Sequence, residues 1–148
     1  MRPASAPSHA GAGWLIGLPL AGCAIAAYLA LYQLDIVATV WEPLFGDGSR
    51  IILHSTLARA LPIPDAALGA LGYLAEAVCA SVRWKAPGWV GFAYGAIVIV
   101  FAVASVALVA LQWGYFHAWC TLCLTSAVLS FVIAGVVVGQ TREKRDEQ

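Results

Sequence analysis

The chain has 148 residues, of which 61% are hydrophobic and 11% charged, and its formal net charge at neutral pH is zero. Together with a mean hydropathy of +0.83, this composition excludes an ordinary soluble globular domain. We therefore predict an integral membrane protein. The zero net charge gives no indication of a nucleic-acid partner, and we predict none.

The predicted elements are four membrane-spanning helices. A helix needs roughly 20 mostly apolar residues to cross a hydrocarbon core about 30 Å thick. The runs that meet or approach this length are Trp14–Leu34, Ala66–Val82, Trp89–Trp113 and Ala118–Gly139. We predict an all-α fold, in which one four-helix bundle fills residues 14–139 between a disordered N-terminal segment, 1–13, and a solvated tail, 140–148.

Glycines four residues apart occur in three of these runs, and this spacing lets membrane helices approach each other closely. The pairs are Gly13/Gly17, Gly91/Gly95 and Gly135/Gly139. The spacing is common in apolar helices and supports tight packing of the bundle.

The basic residues predict the orientation, because cytoplasmic loops of membrane proteins carry an excess of Lys and Arg. If both termini are cytoplasmic, six of the eight basic residues are inside: Arg2, Arg83, Lys85, Arg142, Lys144 and Arg145. Only Arg50 and Arg59 are then outside. This orientation places the long connection 41–65 and the start of the fourth helix at the outer face.

The stretch "LAGC", which ends at Cys23, has the form of a bacterial lipoprotein processing site. The apolar run continues beyond Cys23, however, and Arg2 is the only positive charge in the leading segment. Removing that segment would also delete half of the first span. We therefore interpret Cys23 as a small residue packed within the first helix.

Cys120 and Cys123 form a Cys-x-x-Cys pair, and residues three apart on a helix share a face and can bond. Zinc is one alternative, but it needs four ligands. Cys23 lies near mid-membrane, Cys79 lies toward the cytoplasmic end, and His117 could supply only a third ligand. Two unpaired structural cysteines are the other alternative. We favour a redox pair and predict no metal.

The position of the pair supports a redox role. A thiol in the first turn of a helix lies at the positive end of the helix dipole, which favours the reactive thiolate. We expect Cys120 to be the exposed partner and Cys123, a turn deeper, to face the bundle interior, where a quinone can be reached from the lipid. This arrangement indicates electron transfer from extracytoplasmic thiols to membrane quinone.

Two stretches carry a resemblance to a known family. In "ILHSTLARALPIPDAALGALGYL", Ser55 precedes a G-x-P-x-x-x-x-G-x-x-x-Y pattern whose Pro, second Gly and Tyr positions are held by Pro64, Gly69 and Tyr73. "WCTLCLTSAV" is similar to the Cys-x-x-Cys at the outer start of that family's last core helix. With its four-span layout, the chain resembles the bacterial homologues of vitamin K epoxide reductase over nearly its whole length.

The resemblance implies a four-helix bundle that encloses a quinone of the ubiquinone or menaquinone type, in a bacterial cytoplasmic membrane. Cys123 would lie next to the quinone ring, and Cys120 would exchange disulfides with a thioredoxin-like extracytoplasmic protein. Ser55, Tyr73 and His117 are further candidates for the quinone site. His117 is alternatively a plain residue of the membrane surface.

The chain departs from the family pattern in its outer loop. Family members carry two loop cysteines that relay electrons to the pair, whereas "TVWEPLFGDGSRIILHS" contains none, and Ser49 takes the place of one. Either Cys120 receives electrons directly from its partner, or the chain keeps the fold without the reaction. A quinone-dependent thiol oxidoreductase is our first interpretation. A non-catalytic subunit of a larger membrane complex is the alternative.

Glu76 is an ionisable residue at membrane depth, where such groups are expensive and often functional. We interpret its carboxyl group either as a structural group bonded within the bundle or as a participant in proton transfer.

Overall fold

The computed structural model describes residues 9–60, 62–82 and 88–146. The helices are α1 (His9–Gln33), α2 (Gly48–Leu53), α3 (Asp65–Val82), α4 (Gly88–Leu111) and α5 (Thr121–Asp146), and a π-helical turn, Gln112–Phe116, follows α4 directly. Within these described ranges there is no β-strand. The predicted all-α membrane bundle is confirmed.

Four helical segments are long and apolar enough to cross a membrane: Gly13–Gln33, Asp65–Val82, Gly88–Phe116 and Thr121–Arg142. They match the four predicted spans to within a few residues at each end. The fourth begins at Thr121 rather than at Ala118, because His117 has a left-handed backbone conformation (φ 48°) that interrupts the helix.

The ends of the bundle are more helical than the sequence predicted. α1 begins at His9, inside the segment predicted to be disordered, and α5 continues to Asp146 through the predicted tail. A helix nucleated by an apolar run extends readily into its flanks, and Arg, Glu and Lys favour helix. Three basic residues used to predict the orientation, Arg2, Arg83 and Lys85, lie outside the described residues. The predicted domain boundaries stay predictions.

Buried apolar side chains form two clusters. The bundle-core cluster consists of Leu15, Ala26, Tyr73, Ala80, Tyr94, Val98 and Ile133. The site-end cluster consists of Leu29, Tyr32, Ile52, Leu53 and Cys120. We call the end of the bundle that carries α2, the π-helical turn and the first turn of α5 the site end.

Two glycines let helices of the bundle core approach closely. A Cβ at Gly22 of α1 would overlap the ring of Tyr73 on α3, and a Cβ at Gly72 of α3 would overlap the ring of Phe101 on α4. A Cβ at any of the six glycines with four-residue spacing would meet nothing within 4 Å. The glycine spacing is therefore no support for tight packing here, since these six glycines face open space.

Gln33, the last residue of α1, joins three elements at the site end. Its Nε2 donates to the Leu53 carbonyl at the end of α2 (3.3 Å) and to the carboxylate of Asp65, while its Oε1 accepts from Ala66 N–H (3.2 Å). Asp65 Oδ1 also accepts from Ala66 N–H (2.8 Å). These bonds satisfy polar groups at helix ends, which otherwise lack partners. They bring the ends of α1 and α2 to the start of α3.

Candidate functional site

Cys120 and Cys123 are joined by a disulfide bond, with 5.2 Å between their Cα atoms. Cys120 directly precedes α5 and Cys123 lies in its first turn, so that Cys123 N–H also points at Cys120 Sγ (3.1 Å). Cys23 and Cys79 are free thiols that pack against the bundle-core cluster. The prediction that only the Cys-x-x-Cys pair forms a disulfide is confirmed.

The π-helical turn positions the pair. Gln112 is 2% exposed, and its Oε1 accepts a hydrogen bond from Cys120 N–H (3.1 Å). The Gln112 backbone carbonyl accepts from Ala118 N–H (3.3 Å), and His117 completes the reversal of the chain in its left-handed conformation. The end of α4 thus holds the segment that leads into α5, and the backbone of Cys120 is fixed by a buried amide.

The loop between α1 and α3 covers Cys120, which is 0% exposed. Gly48 at the start of α2 lies so close to the Trp119 carbonyl that a Cβ there would overlap it, and the rings of Phe45 and Trp119 are 6.3 Å apart. The prediction that Cys120 is the exposed partner is therefore wrong. Sequence spacing alone did not show that the loop folds over the start of α5.

Glu42 holds this loop against the start of α5. Its carboxylate accepts hydrogen bonds from Thr121 N–H (2.8 Å), from the Thr121 hydroxyl and from the Ser49 hydroxyl. Burial alone raises the pKa of Glu42, but the hydrogen bonds from Ser49 and Thr121 outweigh it and hold the pKa below its ordinary value of 4.5. Glu42 is therefore ionised at neutral pH, and the loop is bonded to the first turn of α5.

The charge of Glu42 also changes the electrostatics of the pair. The sequence predicted that the positive end of the α5 dipole would favour the Cys120 thiolate. A carboxylate bonded to Thr121 N–H places a negative charge at that same end. The charge of Glu42 opposes formation of the thiolate while the loop is closed.

A cavity of about 370 Å³ lies beside the disulfide, and Cys123 forms part of its wall. This volume is within the range of small-molecule sites, roughly 300–1,000 Å³. The lining is mostly apolar and comes from α1, α2, α3, α4 and α5 and the segment after α2. Its polar members, besides Cys123, are Ser55, Asp65, Ser105, Gln112 and Ser126.

The structure brings two predicted site residues, Cys123 and Ser55, to the same cavity. Cys120 is bonded to Cys123 but lies outside the lining. Tyr73 is not part of the cavity lining, but it contacts the lining residue Ser126. Its hydroxyl is hydrogen-bonded to the Ser126 carbonyl (2.7 Å) and hydroxyl (2.9 Å), and to the Ser130 hydroxyl (2.7 Å). His117 is exposed and is not among the lining residues. Their roles in binding stay predictions.

Sequence reasoning missed four polar residues at this site: Glu42, Asp65, Gln112 and Ser126. A signal for Gln112 was present, since it is a polar side chain at the end of a long apolar run, where polar groups need partners. Glu42 gave no comparable signal, because it lies in a loop and its bonded partner Thr121 is 79 residues away.

Ser49, which the resemblance predicts at the place of a loop cysteine, is 1% exposed and bonded to Glu42. The position is thus occupied by a hydrogen-bond donor that helps to fasten the loop. No thiol in the loop sequence could relay electrons to the pair.

Glu76 lies away from the cavity lining, on α3, and is 1% exposed. Its Oε2 has no hydrogen-bond partner within the described part of the chain. Among those same residues, no group of three or more His, Cys, Asp and Glu side chains could hold a metal ion.

Four helices of membrane-spanning length, with a disulfide at the wall of an apolar cavity, define the class of membrane-embedded helical redox proteins. The sequence profile of the vitamin K epoxide reductase family matches residues 13–138, and the chain belongs to this family. Members of the family are generally oxidoreductases and generally use quinones, so a redox function of this general kind applies to the chain. A search of curated proteins finds no match.

Proposed function

We propose that the chain is a quinone-linked thiol oxidoreductase, in which Cys120 and Cys123 pass electrons from extracytoplasmic thiols to membrane quinone. One observation carries the proposal: the disulfide joins a cysteine beneath the outer loop to a cysteine on the wall of an apolar cavity. Such an arrangement separates the thiol-exchange side of the pair from the acceptor side.

In the first half of the reaction, thiol exchange reduces the Cys120–Cys123 disulfide. A donor thiolate attacks Cys120 Sγ, the Cys120–Cys123 bond breaks, and Cys123 leaves as a thiolate that takes up a proton. The second donor thiol then displaces Cys120, so that the donor leaves as a disulfide. The chain holds two electrons and two protons as the Cys120 and Cys123 thiols.

The cavity fits a quinone ring by size and by chemistry. Its walls are mostly apolar, and a few polar groups are available for the ring oxygens. A bound quinone supplies a two-electron, two-proton acceptor, which is what the dithiol needs in order to return to the disulfide. Cys123 and Ser55 would lie beside it. Tyr73 would act through Ser126, whose hydroxyl and carbonyl it holds in place.

Electron entry at Cys120 requires the outer loop to open, because no donor sulfur can reach a fully buried Sγ. The bonds from Thr121 and Ser49 to Glu42 must then break. Opening removes the carboxylate from the start of α5, and the helix dipole then favours the Cys120 thiolate. Access to Cys120 and its reactivity rise together.

The test is steady-state turnover of the purified full chain in detergent, with dithiothreitol as donor and a short-chain benzoquinone whose loss is followed by absorbance. We expect turnover in the wild type and in the double variant Cys23→Ser/Cys79→Ser, which keeps the site pair. We expect none with Cys120→Ser or Cys123→Ser. A wild-type protein that binds the quinone without thiol-dependent turnover would contradict the proposal.

A second candidate function is a non-catalytic subunit of a larger membrane complex. The loop favours it, since it lacks cysteines and is fastened over Cys120 by Glu42 and Ser49. On this hypothesis the disulfide is structural, and reducing it changes the stability of the chain without any electron reaching a quinone.

The proposed setting is a bacterial cytoplasmic membrane, with both termini in the cytoplasm and the site end facing outward toward a thioredoxin-like partner. The support is the distribution of basic residues. Reporter fusions at the C-terminus and at loop residue Asp47 distinguish the two orientations. A C-terminus that is accessible from the outside would place the pair at the reducing face and contradict this setting.

A further inference from the structure

Gln112 contacts both the redox pair and the cavity. It is the first residue of the π-helical turn, it is almost fully buried, and it lines the same cavity as Cys123. Its carbonyl oxygen, Oε1, is committed to Cys120 N–H at 3.1 Å. Because an N–H donor requires the oxygen of the amide, this bond determines which way the planar group is turned.

The amide nitrogen of Gln112 is left as a donor. No acceptor for it is found among the described residues, and it is not among the fully enclosed atoms that lack a partner, so it stays open to an acceptor. Most of the cavity lining is apolar, from side chains such as Leu108 and Leu111. A molecule in the cavity that Gln112 lines could supply that acceptor.

Apart from Cys123 and Gln112, the lining has four polar residues: three already take part in hydrogen bonds, and the fourth is the buried Ser105 of α4. Asp65 Oδ1 accepts from Gln33 and from Ala66 N–H, and the Ser126 hydroxyl is bonded to Tyr73. Ser55 Oγ accepts from Ala58 N–H (3.1 Å). Gln112 is the lining residue that presents an NH₂ group and is at the same time bonded to the redox pair.

We propose that the Gln112 side-chain NH₂ donates a hydrogen bond to a carbonyl oxygen of the bound quinone while Oε1 holds Cys120 N–H. The inference rests on the proposed function for the identity of the occupant. One side chain then fixes both the backbone of the disulfide and the ring that faces Cys123. It also makes the cavity select a carbonyl-bearing ring over a plain hydrocarbon chain.

The first measurement needs no variant. The full chain is reconstituted with a short-chain benzoquinone that carries ¹³C at its ring carbonyls, and the carbonyl stretch is recorded by infrared difference spectroscopy. We expect a band at lower frequency than the same quinone shows in an apolar solvent. A band at the apolar-solvent position would overturn the inference, because no donor would then reach the oxygen.

The second measurement is the variant Gln112→Leu, with Gln140→Leu as a matched control that makes the same change near the end of α5. Loss of one hydrogen bond is expected to move the carbonyl band back up and to raise KM for the quinone roughly tenfold, with a smaller change in kcat. Gln140→Leu is expected to change neither. An unchanged band in Gln112→Leu would assign the bond to another donor and overturn the inference.

These outcomes separate the inference from the proposed function. A shifted wild-type band without turnover keeps the role of Gln112 and rejects the enzyme. Turnover with an unshifted band keeps the enzyme and rejects the role of Gln112. A wild type that binds no quinone rejects both.

Discussion

The site end and the bundle core of this protein are held together in different ways. At the site end, hydrogen bonds join loop and helix ends around the disulfide: Gln33 donates one, and Glu42 and Gln112 accept others. In the bundle core, glycines let aromatic rings pack directly on neighbouring helices. Hydrogen bonds at a loop can open without loss of the fold, whereas tight packing resists change. We therefore expect the loop at the site end to move while the bundle core stays fixed and supports it.

The largest expected effect is in the bundle core. Gly72→Ala would force the added methyl group into the Phe101 ring, and overpacking of this kind costs about 1–3 kcal/mol. We expect a lower free energy of unfolding, measured by reversible unfolding in mixed micelles. Gly95→Ala is the matched control, because its Cβ would meet nothing within 4 Å. An equal loss of unfolding free energy in Gly72→Ala and Gly95→Ala would contradict the distinction between a packed and an open helix face.

The next effect is at the site end. Glu42→Ala removes the acceptor for Thr121 and Ser49, and we expect the Cys120–Cys123 disulfide to be reduced about tenfold faster by dithiothreitol. Asp47→Ala is the control, since this exposed loop carboxylate makes no capping bond. The unfolding free energy should change much less than the reduction rate. A reduction rate unaffected by Glu42→Ala would mean that the loop does not limit access.

Low pH should weaken the hydrogen bonds to Glu42 and increase the rate of disulfide reduction, but less than Glu42→Ala does. A carboxyl whose pKa is lowered in the folded protein adds stability above its ordinary pKa, and this stability is lost as pH falls through the folded value, here below 4.5. We expect reduction by a phosphine, which does not depend on a thiolate, to accelerate a few-fold across that window. The Glu42→Gln variant should show no such rise. A rise of equal size in that variant would assign the titration to another group.

The smallest effect is expected at Glu76. This carboxyl is buried in α3, away from the cavity lining. If its role is structural, Glu76→Gln keeps the shape of the side chain, and quinone turnover should stay within about twofold of the wild type. Turnover that falls tenfold or more would favour the alternative, a part in proton transfer, and would extend the functional region into the bundle core.

Much of the fold could be predicted from the sequence, because spans depend on local runs of apolar residues and the disulfide on two cysteines three apart. Helix contacts could not: the glycines with four-residue spacing face open space, whereas Gly22 and Gly72, which lack that spacing, contact rings. The burial of Cys120 and the hydrogen bond that Thr121 donates to Glu42 were also missed. Both depend on a loop that meets α5 across 79 residues of sequence.

The central claim is that the Cys120–Cys123 pair delivers two electrons to a quinone in the adjacent cavity. The most direct measurement is a single turnover without any donor: the chain is reduced, freed of reductant, and mixed anaerobically with a short-chain benzoquinone. We expect one hydroquinone formed and two thiols lost per chain, with the disulfide restored between Cys120 and Cys123. A quinone that binds while both thiols remain reduced would contradict it.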